Sequence, residues 1–111
     1  MKTTMYILSL TLMLTAGSTV AAELDGAKLY LDKTCASCHG DGGNKPIADN
    51  YPKIGGQSEK YLIEKLKAYK EGKVTGNQAA VMTPMANMLT TDEEIEAVSA
   101  YLAGVTCTPE E

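Results

Sequence analysis

Tryptophan, phenylalanine and arginine are missing from this chain of 111 residues, and histidine occurs once, at position 39. Each absence narrows what the chain can be. Six tyrosines are the whole aromatic complement, so the apolar bulk available to a core is modest. A small domain of this composition needs a staple or a bound group to stand. The lone histidine rules out any site with two imidazole ligands, and three cysteines, at 35, 38 and 107, leave a four-ligand zinc site hard to complete. No apolar run reaches the roughly 20 residues of a membrane-spanning helix. No strand alternation surrounds residues 24–45, which argues against the βαβ setting of a thioredoxin-like dithiol. All ten basic residues are lysine, and from residue 23 onward nine of them face fourteen carboxylates, a formal charge of −5. That balance excludes nucleic acid as a partner.

What is present converges on one pentad. Cys35-Ala36-Ser37-Cys38-His39 reads C-x-x-C-H, the pattern of covalent c-type haem attachment. The two thiols add to the haem vinyl groups, and the adjoining imidazole becomes the proximal iron ligand. A dithiol redox pair and half a zinc site are the competing readings, and the absences above weigh against both. The expected cofactor is one haem c, attached through Cys35 and Cys38, with His39 on the metal. Haem would also supply the missing apolar bulk, so the apoprotein is expected to be largely unfolded.

Residues 1–22 have the build of a secretory signal. Met1-Lys2 is followed by an apolar stretch from Tyr6 to Ala16, interrupted by Ser9, Thr11 and Thr15, and by the small residues Val20-Ala21-Ala22 before the expected cut. Export to the periplasm agrees with the pentad, because bacteria make these thioether bonds outside the cytoplasmic membrane. Cleavage leaves a single domain, 23–111, of 89 residues. Cys107 remains as an extra thiol, expected to lie protected against the fold.

The domain reads as all-α. Leu24 to Leu31 forms a short first helix capped by Asp25, and the Gly-, Asn- and Pro-rich stretch from Gly40 to Gly56 is loop. Ser58 caps a helix running to about Glu71, with Tyr61, Leu62, Lys65, Leu66 and Tyr69 on one face and Gly72 closing it. Thr91-Asp92-Glu93-Glu94 has the spacing of a capping box. It opens a last helix whose inward stripe is Ile95, Val98, Tyr101 and Leu102, stopped by Gly104.

Four pieces in order now carry a resemblance: Cys35 to Gly40; Tyr51-Pro52-Lys53-Ile54-Gly55-Gly56-Gln57; the Tyr61-Leu62 helix; and Leu89 to Ile95 leading to Ala100-Tyr101-Leu102. The chain resembles class I cytochromes c, and within them the small bacterial periplasmic monohaem type similar to one haem domain of the dihaem c-four cytochromes. The resemblance implies an all-α fold of three to four helices and loops around one covalent haem. It implies a one-electron carrier cycling Fe(II)/Fe(III) among redox partner proteins, with no small-molecule substrate and no catalysis. The alternatives are a cytochrome subunit of a larger dehydrogenase and a five-coordinate, ligand-binding haem protein.

With a second histidine excluded, methionine is the natural sixth ligand. Met82, Met85 and Met88 stand three residues apart. In the family the ligand precedes the start of the last helix, and the seven-residue interval from Met82 to Leu89 matches that pattern. Met82 is therefore expected on the iron, with Met85 the runner-up and Met88 third, and Thr83-Pro84 is expected to hold the backbone extended. The resemblance also implies that the Pro52 carbonyl, or less well that of Pro46, accepts from the second ring nitrogen of His39. It implies that Gly26 and Tyr30 pack against Tyr101 where the first and last helices cross. Tyr61, Tyr69, Lys67 and Gln57 are candidate partners for the haem propionates, whose charge is costly to bury without donors.

Overall fold

The computed structural model describes residues 24–76 and 78–106; the expected signal segment and Cys107 lie outside the described residues. Among the described residues five α-helices follow one another: α1 (Gly26–Asp32), α2 (Ala36–His39), α3 (Glu59–Lys70), α4 (Ala79–Ala86) and α5 (Asp92–Ala103), with one 3-10 turn at Asp41–Gly43. Among the described residues there is no strand.

The helix starts follow from their caps. The Asp25 carboxylate accepts from the Lys28 N–H at 3.1 Å. The Ser58 hydroxyl accepts from the Tyr61 N–H at 3.2 Å. Thr91 Oγ1 accepts from the Glu94 N–H at 3.2 Å, while the Glu94 carboxylate reaches back to the Thr90 N–H at 2.8 Å. The reciprocal box is thus shifted outward by one residue at its return bond.

α5 is the spine, packed against α1 on one side and α3 on another, and α4 packs on α3. The α1/α5 crossing depends on Gly26. A Cβ there would sit 2.1 Å from the Ala97 carbonyl oxygen and 2.9 Å from Tyr101 Cβ. Beside it the Tyr30 and Tyr101 rings meet at 5.6 Å between centroids, tilted by 53°. The core is small: Tyr30, Leu62, Leu89, Ile95, Val98 and Leu102. Within the stripe expected on α5, Ile95, Val98 and Leu102 are buried, Tyr101 is half-buried, and Ser99 is an unexpected fully buried member.

The all-α expectation holds, with the short α2 and α4 joining the three helices read from the sequence. One expectation is corrected. Thr83 and Pro84 are not extended: both lie inside α4, where packing against α3 outweighs the hydrogen bond that proline cannot donate.

Candidate haem-binding site

The pentad is set by how α1 ends. The Thr34 N–H donates to the Leu31 carbonyl at 3.0 Å and the Cys35 N–H to the Tyr30 carbonyl at 3.1 Å, the paired closure of a Schellman motif. The residue at its left-handed position is usually glycine, but here it is Thr34, at φ 61°. The closure turns the chain directly into α2, whose single turn is tied by the His39 N–H donating to the Cys35 carbonyl at 3.0 Å. Cys35 and Cys38 are half-buried thiols, and His39 is buried.

Beyond His39 the chain must reverse sharply, and Gly40 does this at φ 77°. A Cβ at that position would stand 1.9 Å from the Lys45 carbonyl oxygen. The Tyr30 hydroxyl donates to the Gly40 carbonyl at 2.5 Å, pinning the end of the pentad to α1. Burial pushes the Tyr30 hydroxyl well above the ordinary tyrosine range, so it stays a donor.

His39 Nδ1 lies 2.8 Å from the Pro52 carbonyl oxygen. A carbonyl only accepts, so Nδ1 carries the proton and Nε2 keeps its lone pair for a metal. The Tyr51 ring stands edge-on to the imidazole at 6.4 Å. The acceptor expected from the Pro52 position is the one observed.

His39 opens into a cavity of about 400 Å³. Cys35 and Cys38 line it beside the imidazole, and loop residues 50–54 and Gln57 form one edge. The whole apolar face expected on α3, from Tyr61 to Tyr69, forms a wall, and Val98 and Leu102 of α5 close the back. α4 contributes Met82 and Met85, one helical turn apart on the same face. Met88 is not among the lining residues and is exposed. A covalently held c-type haem needs two thiols, an oriented imidazole and an apolar slot, and these residues provide all three. The rival chemistries lack their parts. Burial pushes the Cys35 thiol up, the reverse of an activated redox thiolate. No group of three or more His, Cys, Asp or Glu gathers for a metal ion among the described residues.

Over residues 24–106 the chain matches the family model described as cytochrome c. It belongs to the cytochrome c family. It is 47% identical over 68 residues to cytochrome c-554(548) of Halomonas halodenitrificans, covering 61% of this chain and 80% of that one. It is 35% identical to cytochrome c-553 of Nitratidesulfovibrio vulgaris, with 93% and 98% of the two chains covered. It is 38% identical to cytochrome c4 of Stutzerimonas stutzeri over 83% of its own length but 47% of that protein, so it spans about half of that relative. Membership makes the cofactor a covalently bound c-type haem, for which Cys35 and Cys38 have the attachment spacing, and makes this cytochrome an electron carrier with redox partners.

One of the candidate propionate partners is displaced. Gln57, Tyr61 and Tyr69 line the cavity, but Lys67 is not among the lining residues, and its ammonium lies 3.9 Å from the Asp92 carboxylate. Lys65 lines the cavity instead. The signal was in the spacing. Lys65 falls four residues after Tyr61 and four before Tyr69, on the face that all three share, whereas Lys67 is turned away from it.

Proposed function

We propose that this cytochrome is a periplasmic one-electron carrier in which His39 and Met82 are the axial ligands of a haem attached through Cys35 and Cys38, exported by a signal of residues 1–22 that is then removed. The bound haem supplies a single reversible electron at iron. The chain's own residues supply the rest. The observation that carries this reading is the His39–Pro52 bond, which fixes the tautomer and plane of the imidazole with Nε2 left for the metal. An imidazole held in this way need not reorient when charge changes, which keeps reorganisation small. Apolar side chains of α3 and α5 keep water away from the same space.

Met82 and Met85 supply thioethers to the cavity, and the seven-residue interval to Leu89 favours Met82. A thioether is a weak donor that favours ferrous iron, so the potential lies above that of a site with two nitrogen ligands. With His39 and Met82 both held to the iron, the bound haem would offer no position to a substrate, and the protein would catalyse no bond change of its own. Its encounters with redox partners are brief and of small area.

The test is the visible spectrum of Met82→Ala and Met85→Ala holoproteins, oxidised and reduced, with and without carbon monoxide. Met82→Ala should lose the sulfur-to-iron charge-transfer band and bind carbon monoxide, while Met85→Ala keeps the band and does not respond. The reverse pattern would move the ligand to Met85. A wild-type protein that binds carbon monoxide at once would replace the carrier with a ligand-binding haem protein.

A further inference from the structure

The described residues include eleven side-chain carboxylates, and none of these lines the haem cavity. The charged or ionisable nitrogen groups there are His39, Lys53 and Lys65. A cavity with no carboxylate among its described lining residues and with Lys65 at it suits an anion. The cofactor of this cytochrome brings one, because haem carries two propionate side arms that need donors or cations wherever they are shielded from water.

The lysines of α3 and its C-terminal turn are not equivalent. Lys60 lies 3.9 Å from Glu64, Lys67 3.9 Å from Asp92, and Lys73 2.6 Å from Glu71. Lys70 donates to the Leu89 carbonyl. Lys65 is the exception: its ammonium sits 5.8 Å from the centroid of the Tyr61 ring, at the cavity, with no carboxylate partner among the described residues. Tyr61 and Tyr69, one turn to either side, add phenol hydroxyls to the same lining.

We propose that Lys65, steered by the Tyr61 ring, is the cation that receives a haem propionate, and that it thereby raises the reduction potential of the bound haem. The inference rests on the haem reading of this cavity. The sign follows from charge alone. Reduction removes one positive charge from the iron, so a nearby fixed cation favours the reduced form, and losing that cation lowers the potential. Lys65 is exposed, so its influence is partly screened and weakens as salt is added.

The experiment is redox titration of the holoproteins Lys65→Gln, Lys65→Glu, Lys65→Arg and, as a control on the same helix outside the cavity, Lys60→Gln. Lys65→Gln should shift the midpoint downward, Lys65→Glu further in the same direction, and Lys65→Arg and Lys60→Gln should stay at the wild-type value. The downward shift should shrink with rising ionic strength. Equal shifts for Lys65→Gln and Lys60→Gln would overturn the assignment. So would an unmoved potential accompanied by slower electron exchange with partners, which would make Lys65 a docking residue. The methionine charge-transfer band, read on the same samples, separates the two claims. An intact band with an unmoved potential sinks the role of Lys65 alone, whereas a missing wild-type band sinks the ligation.

Discussion

His39 and Met82 reach the same cavity from helices of unlike support. The His39 wall is braced by a paired closure from α1, by the Tyr30 hydroxyl on Gly40 and by the Pro52 carbonyl on the ring itself. The Met82 wall is α4, eight residues long, opened by Gln78 at φ 67° with no side-chain cap and carrying Pro84 inside it. It packs on α3 and leaves Val81 45% exposed and both cavity methionines half-buried. The comparison separates two ways of presenting a donor side chain to one cavity. The imidazole is oriented by the chain before any group is bound, whereas the thioether depends on the group to complete its surroundings.

The largest test of that contrast removes the group. Four of the six core residues, Leu62, Leu89, Val98 and Leu102, also line the cavity. Without haem these four side chains face water across the open cavity of about 400 Å³, and at about 25 cal/mol per Å² of apolar surface the lost burial is a sizeable share of the about 5–15 kcal/mol that holds a small domain. The Cys35→Ser/Cys38→Ser double variant, made without haem, should lose the bulk of its helical circular dichroism. Any residual amide protection should sit in α1 and α5, whose Gly26 and Tyr30–Tyr101 contacts do not need the cavity filled. Residual protection in α4 instead would break the comparison.

The same contrast explains what could be read from the chain alone. Asp25, Ser58 and Thr91 announce their helices because a short oxygen side chain before an apolar stripe has one obvious use, satisfying an unpaired N–H. The pentad and the wall of α3 were legible for the same kind of reason, namely fixed spacing of chemically particular residues. α4 was not. Its segment Ala-Ala-Val-Met-Thr-Pro-Met-Ala is apolar at nearly every position, so it shows no polar face, and Pro84 argues locally against a helix. Gln78 offers no capping bond. The helix exists because α3 and the buried Ala79 and Ala86 hold it, and that is tertiary information. Lys65 shares the cavity face with Tyr61 and Tyr69, whereas Lys67 pairs with Asp92 on another helix, a contact that the local spacing does not announce.

A smaller effect probes the bracing of the His39 wall directly. Tyr30→Phe removes the hydroxyl that holds the Gly40 carbonyl. The carbonyl still accepts from the Gly43 N–H at 3.1 Å, so it is not orphaned, and the loss should be about 1 kcal/mol rather than the larger penalty of a stranded acceptor. Denaturant unfolding of the holoprotein reads this as a lower midpoint at unchanged slope. The methionine charge-transfer band should be untouched, because Tyr30 braces the opposite wall. A band that weakens in step with stability would mean that the two walls are not independent.

Each wall also contains one residue in a conformation that suits glycine better, Thr34 at φ 61° before α2 and Gln78 at φ 67° before α4. The left-handed backbone costs an L-residue about 1–2 kcal/mol, and part of any gain from glycine is returned as added freedom of the unfolded chain. Thr34→Gly should therefore stabilise the holoprotein by about 1 kcal/mol at most. Gln78→Gly should give less, since glutamine lacks the β-branching that makes threonine stiff in this region. Thermal unfolding of the two variants and their combination measures both gains. If the strain at the two sites is local, the gains add. A combined variant that falls short of the sum would show that the braced wall and the loose one share a strained path through the cavity, and the contrast between them would have to be redrawn.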